Sequence, residues 1–300
     1  MEFKKTLNVF FAIDKNLIVQ FTVTLTSLLE NNQDLSISVY VVHDIENNSV
    51  LKNAIHFFHT HYNIDINLIK VNKELFDTFP VSDHLTYVTK AAYFRLLLAD
   101  LIPNTIDQGL YLDCDIIVTD SLAELTNKNI FNNGSEAEFS IMAVADKGES
   151  NEIERFKQLN VFLDSYFNSG VMLINFKEWR LKNISSKLFD TVNQYENDLR
   201  WLDQDVLNIG LQNKWGKLNN TYNKIVDKKL QNVPIIIHFS GSSKPWHYLN
   251  NHPYKFLYWK YLNLTPFKDE KFESVTIKKV LQKYRGKLER SATSISKSFK

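Results

Sequence analysis

Residues 110–115 read Leu-Tyr-Leu-Asp-Cys-Asp, so an apolar run ends in two carboxylates, Asp113 and Asp115. A second apolar run, residues 116–118, begins immediately afterwards. Carboxylates at the carboxyl end of a strand in an open α/β sheet lie where such sheets bind ligands. Two of them suit a hard divalent cation, which takes oxygen ligands and can bring a phosphate with it. Taken alone, the pair is more often a solvated turn, so the choice depends on other segments.

Composition narrows the class of protein. The 300 residues are 44% hydrophobic and 23% charged, which is ordinary for a soluble globular protein. A formal net charge of +1 gives no overall attraction to nucleic acid. Cys114 is the only cysteine, so no intrachain disulfide forms and a reducing, cytoplasmic location is expected. No stretch reaches the roughly 20 apolar residues that cross a bilayer. The short apolar run after Lys4 and Lys5 favours a first strand over a signal peptide.

Apolar periodicity predicts alternating strands and helices. Near-continuous apolar runs predict buried strands at 7–13, 37–42, 64–71, 139–145, 170–176 and 234–239. Helical spacing predicts helices at 17–29, 49–62, 91–101 and over most of 177–212. The early alternation is typical of parallel βαβ units, so residues 1–118 are predicted to be a Rossmann-like, nucleotide-binding half of an α/β protein with a mostly parallel sheet.

The C-terminal part differs in character from the rest. One domain is predicted at 1–265 and a tail at 266–300. Between residues 278 and 300 the tail carries eight Lys or Arg against one acid, Glu289, and its apolar residues fall on one helical face. A basic amphipathic helix is typical of an element that lies on an anionic membrane surface. The alternative is a solvated helix packed on the domain.

Four distant segments carry groups that a site for a metal and a diphosphate requires. They are Ala12, Asp14 and Asn16 at a strand end, Asp113 with Asp115, the run Asp203-Gln204-Asp205, and the stretch from His238 through Gly241 and Lys244 to His247. Small residues let the backbone of the last stretch approach a ligand, and a lysine there can reach an anionic oxygen. An oxygen-rich site with one imidazole suits Mn²⁺.

The chain resembles glycosyltransferase family eight, the retaining GT-A enzymes that use nucleotide sugars, and is similar in character to its bacterial lipooligosaccharide galactosyltransferases. The resemblance lies in six segments in family order: 11–16, 93–96, 110–115, 166–175, 203–208 and 238–247. Each segment is modest alone, but together they span residues 7–247. The resemblance implies a GT-A fold and a UDP-sugar as the donor.

The resemblance also implies a role for each matching residue. Ala12, Asp14 and Asn16 would hold the uracil and ribose; Asp113, Asp115 and His238 would bind Mn²⁺, with Mg²⁺ possible; Gly241 and Lys244 would contact the diphosphate; and Arg95, Asn168, Asp203 and Gln204 would surround the donor sugar. Cys114, between the two acids, is part of the nucleotide-binding segment, and its side chain is expected to point into apolar packing.

The implied reaction is transfer of a hexose, with galactose favoured, from UDP to a hydroxyl of a lipopolysaccharide or another surface glycan. UDP-glucose is the alternative donor, and a non-catalytic domain that binds sugar nucleotides is the alternative class. The acceptor, a glycan or glycolipid, is expected to face loops 76–89 and 146–165, with His84 and Asp146 as candidate contacts. The expected location is the inner face of the cytoplasmic membrane, held there by the tail.

Overall fold

A computed structural model describes residues 4–81, 89–132, 139–212, 214–247 and 249–270. In chain order its strands are β1 (Thr6–Ile13), β2 (Ser36–His43), β3 (Ile66–Lys70), β4 (Gln108–Leu112), β5 (Ile116–Val118), β6 (Ile141–Ala145), β7 (Phe167–Asn175), β8 (Trp215–Lys217) and β9 (Ile236–His238). Its α-helices are α1 (Ile18–Glu30), α2 (Ser49–Tyr62), α3 (Leu98–Leu101), α4 (Glu149–Gln158), α5 (Phe176–Leu181), α6 (Ile184–Tyr195), α7 (Asp203–Gly210) and α8 (Lys255–Leu262). Segments of 3₁₀ helix lie at Lys73–Phe76, Lys90–Leu97, Ala123–Thr126, Lys128–Phe131 and Asn220–Tyr222.

The described strands form one large sheet and one small sheet. The large sheet has seven strands in the order β3-β2-β1-β4-β7-β6-β8. All of its neighbouring strands pair in parallel except at β7, which runs antiparallel to both β4 and β6. The predicted mixed, mostly parallel sheet is therefore confirmed, and the antiparallel strand lies near its centre.

The first half of the sheet follows from its apolar runs. Strand β1 is buried on both faces from Val9 to Ile13, because helices and loops cover both sides, and Asn8 just before this stretch is half-buried. Helix α1 packs its aromatic Phe21 edge-on against Phe11 of β1, with ring centroids 5.0 Å apart. A fully buried side chain of this size contributes about 1.5–3 kcal/mol. The packing of α1 on β1 therefore stabilises the carboxyl end of β1, beside which candidate site residues lie.

The small sheet joins two segments that are far apart in the chain. Strands β5 and β9 pair antiparallel, with Ile116 opposite His238. The pairing continues past the strands, because the Phe239 N–H donates to the Asp115 carbonyl at 2.9 Å. This register brings the end of the Asp-Cys-Asp segment next to the histidine.

Most predicted elements lie within a few residues of the observed ones, and α2 matches its predicted bounds. The segment predicted as a helix at 91–101 is instead 3₁₀ helix at Lys90–Leu97 followed by the short α3. Four elements were not predicted: strands β5 and β8 and helices α4 and α8. Helix α4 lies within 146–165, so the prediction of a loop there was wrong for residues 149–158. In the described part of the chain, no helix is both long and apolar enough to cross a membrane. The basic face predicted at 278–300 lies outside the described residues.

The N-terminus of α2 offers a test of the fold. The Asn48 side chain accepts hydrogen bonds from the backbone N–H groups of Val50 and Leu51. Asn48→Ala removes this cap and is expected to lower the free energy of unfolding by about 1 kcal/mol, a Tm decrease of about 2–4 °C. The same change at the exposed Asn53 within the helix serves as the control in the thermal melt. Equal effects of the two substitutions would contradict the capping role.

Candidate active site

Two carboxylates and an imidazole converge where the large and small sheets meet. Among the described residues, Asp113, Asp115 and His238 each offer a ligand atom, and these atoms lie within 4.8 Å of one another. The His238 Nε2 atom lies 3.2 Å from Asp115 Oδ1. Two hard carboxylates and one imidazole nitrogen form a donor set that suits Mn²⁺ or Mg²⁺. These residues therefore fit a divalent cation.

The orientation of His238 is fixed by a chain of amide hydrogen bonds. Its Nδ1 lies 2.9 Å from the Asn223 side-chain oxygen, so Nδ1 carries the proton and Nε2 keeps its lone pair. Asn223 Nδ2 donates to Asn168 Oδ1 at 2.9 Å, and Asn168 Nδ2 donates to Asp146 at 3.0 Å. The Asp146 carboxylate can only accept, which orients both amides in turn. Partners of this kind hold a histidine in the tautomer that binds a metal.

Asp113 is held by a hydroxyl and a guanidinium. Its Oδ1 accepts from the Tyr111 hydroxyl at 2.8 Å and lies 2.9 Å from Arg95 Nη2. The buried Arg95 also lies 3.2 Å from Asp203 Oδ2 through Nε and stacks over the Tyr111 ring. The resemblance placed Arg95 beside the donor sugar; the structure places it between two carboxylates that line the same cleft.

Gly170 on β7 gives the site its room. A Cβ atom at this position would lie 2.3 Å from His238 Cε1 and 2.9 Å from Asp113 Oδ2. Its carbonyl accepts from the Asp113 N–H at 2.8 Å, which ties β7 to the acidic segment. Glycine is therefore required here by the close approach of a strand to two candidate ligands.

Lys244 and Gly241 lie in the loop that follows β9. The Lys244 ammonium contacts Asp115 Oδ2 and donates to the Phe239 carbonyl at 3.0 Å. Burial would raise the pKa of Asp115, but the adjacent charge of Lys244 holds it below its ordinary value. Gly241 has a φ of 91°, a conformation that glycine adopts readily and other residues rarely do.

One cleft of about 710 Å³ is lined by every residue to which the resemblance gave a role, whereas Asp205 does not line it. Its lining includes Ala12, Asp14, Asn16, Arg95, Asp113, Cys114, Asp115, Asn168, Asp203, Gln204, His238, Gly241 and Lys244, together with Asp146. At the end formed by β1, the Asn16 N–H donates to Asp14 Oδ1 at 2.7 Å. The Cys114 side chain belongs to the apolar core, and burial raises its pKa well above the ordinary value. His84 lies outside the described residues.

Asp203 and Gln204 begin α7 and face the same small residue of β7. Asp203 Oδ2 accepts from the Ser169 hydroxyl at 3.3 Å, and Gln204 Oε1 accepts from the Ser169 N–H at 3.1 Å. Burial raises the pKa of Asp203 to about 6; Arg95 opposes this rise and the nearby Asp113 charge adds to it. Asp203 is thus a buried carboxyl that shares a single guanidinium with a second acid.

Sequence reasoning gave no role to four residues that shape the site: Tyr111, Ser169, Gly170 and Asn223. Tyr111 and Ser169 lie inside segments that carried the resemblance, so their position next to a candidate residue was a usable signal. Asn223 belongs to no predicted element and lies 15 residues from its partner His238. An isolated asparagine in a loop has no pattern that distinguishes it from an ordinary turn residue.

A protein family and individual proteins within known bacteria match this chain over most of its length. A family model described as glycosyl transferase family 8 matches residues 8–250. A lipopolysaccharide 1,2-glucosyltransferase of Escherichia coli K12 is 26% identical over 278 residues, 88% of this chain and 80% of that protein. A lipopolysaccharide 1,3-galactosyltransferase of Salmonella typhimurium is 30% identical over 264 residues, 82% of this chain and 74% of that protein.

A solved structure shares the fold. The galactosyltransferase LgtC, crystallised with donor and acceptor sugar analogues, superposes with a TM-score of 0.75 at 24% identity. The match covers 94% of this chain and 100% of that chain. The predicted GT-A fold is confirmed by this likeness, which at such an identity concerns the fold alone.

Removal of one carboxylate tests the cation site. Asp115→Ala is expected to weaken Mn²⁺ binding, measured by electron paramagnetic resonance with UDP present, by at least about tenfold because one of three ligands is lost. Asp107→Ala, at an exposed acid outside the cleft, is the matched control. Equal Mn²⁺ affinity in the two variants would contradict the assignment of Asp115 as a ligand.

The buried Asp203 carboxyl predicts a pH dependence of stability. Its pKa is higher in the folded chain, so the folded state holds the proton more tightly than an unfolded chain does. The stability contributed by this group is therefore greatest below about pH 4 and is lost as the pH rises through about 6. Relative to Asp203→Asn, the metal-free wild type should lose about 3 kcal/mol of unfolding free energy over this range in urea titrations.

An exposed acid gives the control for this titration. Asp190 lies on the solvent face of α6, so Asp190→Asn should follow the wild-type curve at every pH. If the free energies of the wild type and Asp203→Asn stay parallel from pH 4 to about 7, Asp203 has an ordinary pKa and the inferred effect of burial is wrong.

Proposed function

Because the chain belongs to glycosyl transferase family 8, it is a transferase, and we propose that it moves a hexose from a UDP-sugar to a glycan hydroxyl with retention at the anomeric carbon. Lipopolysaccharide, lipooligosaccharide or a related surface glycan is the proposed acceptor. The two relatives described above carry lipopolysaccharide glycosyltransferase names, and both cover most of the length of this chain.

The observation that carries the proposal is the meeting of Asp113, Asp115 and His238 in one cleft with Lys244. This combination provides ligands for a divalent cation and a lysine for anionic oxygens at the same point. Ala12, Asp14 and Asn16 line the same cleft and would take the uracil and ribose. A domain that only bound sugar nucleotides, the alternative class, would not require this cation-binding group.

Mn²⁺ is the proposed cofactor, with Mg²⁺ as the alternative. When bound, the cation would stabilise the negative charge that develops on the leaving UDP. Asp113, Asp115 and His238 would hold it, and the Asn223 contact would keep the His238 lone pair directed at it. Lys244 would add a second positive charge beside the diphosphate, and the lack of a side chain at Gly241 would let the backbone approach it closely.

Gln204 is the proposed residue near the face of the sugar opposite the leaving group, and Asp203 lies beside it on α7. Double-displacement retention requires a carboxylate nucleophile on that face. Gln204 is an amide and a poor nucleophile, while Asp203 is paired with the Arg95 guanidinium. Front-face attack, in which the leaving phosphate oxygen takes the proton of the acceptor, is therefore favoured. A covalent intermediate on Asp203 is the alternative, and capture of a glycosylated carboxylate would establish it.

Galactose is the favoured hexose and glucose is the alternative. The two sugars differ in the configuration of one hydroxyl, and Arg95, Asn168 and Asp203 are the proposed polar contacts. Their polar atoms are already engaged within the protein, Arg95 with two acids and Asn168 with Asp146 and Asn223. One relative is a glucosyltransferase and the other a galactosyltransferase, so both donors enter the test below.

The domain boundary and the cellular location of the protein are also proposals. We propose a catalytic domain at 1–265, and the described packing continues through α8 to the buried Phe267, two residues past this boundary. The tail at 266–300 is proposed to hold the enzyme on an anionic, cytoplasmic membrane surface through its Lys and Arg residues. Acceptor glycans would reach the donor sugar past Asp146, which lines the cleft.

A donor screen tests the function. The wild type is incubated with Mn²⁺, a lipooligosaccharide acceptor and each of a panel of UDP-sugars, and UDP release and free hexose are measured. UDP-galactose should give the fastest acceptor-dependent release, and Asp115→Ala should abolish it while Asp107→Ala retains it. A chain that binds UDP-sugars but releases no UDP would support the non-catalytic alternative, and release of free hexose without acceptor dependence would indicate hydrolysis.

A further inference from the structure

The amide of Gln204 is held at both ends inside the cleft. Its Oε1 accepts from the Ser169 N–H at 3.1 Å, and its Nε2 donates to the Tyr166 hydroxyl at 3.2 Å. Tyr166 is fully buried and stacks on Phe156 below the cleft. The hydroxyl of Tyr166 is therefore a contact of Gln204 that lies on the protein side of the pocket.

Asp205 determines where the Tyr166 proton lies. Four donors converge on this buried carboxylate: the Tyr166 hydroxyl at 2.6 Å, Arg155 Nη2 at 2.7 Å, and the backbone N–H groups of Arg200 and Trp201 at 2.7 and 2.9 Å. Burial raises the pKa of Asp205, and all of these contacts oppose that rise. With an arginine and two backbone donors against it, the carboxylate acts as the acceptor toward Tyr166.

The orientation of the Gln204 amide follows from that proton. Burial and the charge of Asp205 raise the pKa of Tyr166 well above its ordinary value, so the hydroxyl stays protonated. Its one proton is committed to Asp205, and its oxygen can then only accept from Gln204. Nε2 must therefore face Tyr166 and Oε1 must face Ser169. In the reverse orientation Oε1 would face the Tyr166 oxygen, which is an acceptor, and the Nε2 protons would face the Ser169 N–H, which is a donor.

The same carboxylate holds a strained backbone next to the site. Leu202 has φ 47° and ψ −116°, a conformation that a bulky residue rarely adopts. It lies between Trp201, whose N–H is bound by Asp205, and Asp203 at the start of α7. Strain of this kind is unfavourable and persists only where the surroundings impose it. Asp205, which follows the bend on α7, thus binds the backbone of the two residues that precede it.

We propose that Tyr166 and Asp205 are positioning residues that fix the orientation of the Gln204 amide against the donor sugar. The proposal deepens the transferase assignment and rests on it for the identity of the ligand. In this arrangement one lone pair of Oε1 and one proton of Nε2 remain for the substrate, in directions set by the protein before it binds. Preorganisation of this kind lowers the cost of orienting groups in the transition state.

The kinetic test replaces one hydroxyl. Tyr166→Phe keeps the buried ring and removes the hydrogen bond to Gln204, so kcat should fall roughly tenfold or more while KM for the donor changes less than about twofold. Tyr62→Phe is the matched control, because Tyr62 makes a 2.8 Å hydrogen bond to Glu30 outside the cleft. This control should retain the wild-type kcat.

A double-mutant cycle separates positioning from general stability. In a Gln204→Ala background, Tyr166→Phe should lower kcat by less than about twofold, because the residue through which it acts is gone. The same fall in both backgrounds would overturn the proposal, since Tyr166 would then act on the fold rather than on Gln204.

A spectroscopic test is independent of turnover. The Gln204 side-chain amide protons are identified in ¹⁵N-edited spectra as the pair that Gln204→Ala removes. Their exchange with water should be slow in the wild type and in Tyr62→Phe, and at least about tenfold faster in Tyr166→Phe. Unchanged exchange in Tyr166→Phe would overturn the positioning role. A wild type that turned over no UDP-hexose would instead contradict the proposed function, while the exchange result would still decide the positioning.

Discussion

Two buried cations hold together three carboxylates that would otherwise repel one another at the strand ends. Arg95 lies between Asp113 and Asp203, and Lys244 contacts Asp115. Removing charges from water is costly unless they are paired, so the acids can only be gathered where these cations reach them. The 3₁₀ segment that carries Arg95 and the loop that carries Lys244 are therefore as necessary to the cleft as the acids themselves.

Strand pairings between segments that are far apart in the chain bring the residues of the cleft together. Strand β7 inserts antiparallel between β4 and β6, which places Asn168, Ser169 and Gly170 beside the acidic segment. Strand β9 pairs with β5, which sets His238 opposite Ile116 and therefore next to Asp115. Each element supplies a candidate ligand or a contact to one, so the cleft is a product of the sheet topology. The parallel first half of the sheet supplies Ala12, Asp14 and Asn16, the residues proposed to hold the nucleotide.

Much of this arrangement could be predicted from the sequence, and the exceptions have physical causes. Near-continuous apolar runs predicted β1 through β3, and helical spacing of apolar residues predicted both intervening helices, because burial there follows the local sequence. Strand β8 has three residues, and α8 carries aromatic side chains on several faces, so neither has a clear period. The ordered acidic, histidine and lysine segments predicted which residues share the cleft. The Asn223 contact, the shared guanidinium of Arg95 and the strained Leu202 depend on tertiary geometry that no short motif encodes.

The sole cysteine has a practical consequence. Cys114 is 5% exposed in the apolar core, and burial disfavours the thiolate that reacts with electrophiles. The native chain should therefore be almost inert to maleimides, and it already provides the low background that fluorescence labelling usually requires engineering to obtain. A cysteine introduced at a solvent-facing position such as Asn53 would carry a dye selectively. Distances between α2 and a labelled acceptor glycan could then be followed during turnover without altering the residues of the cleft.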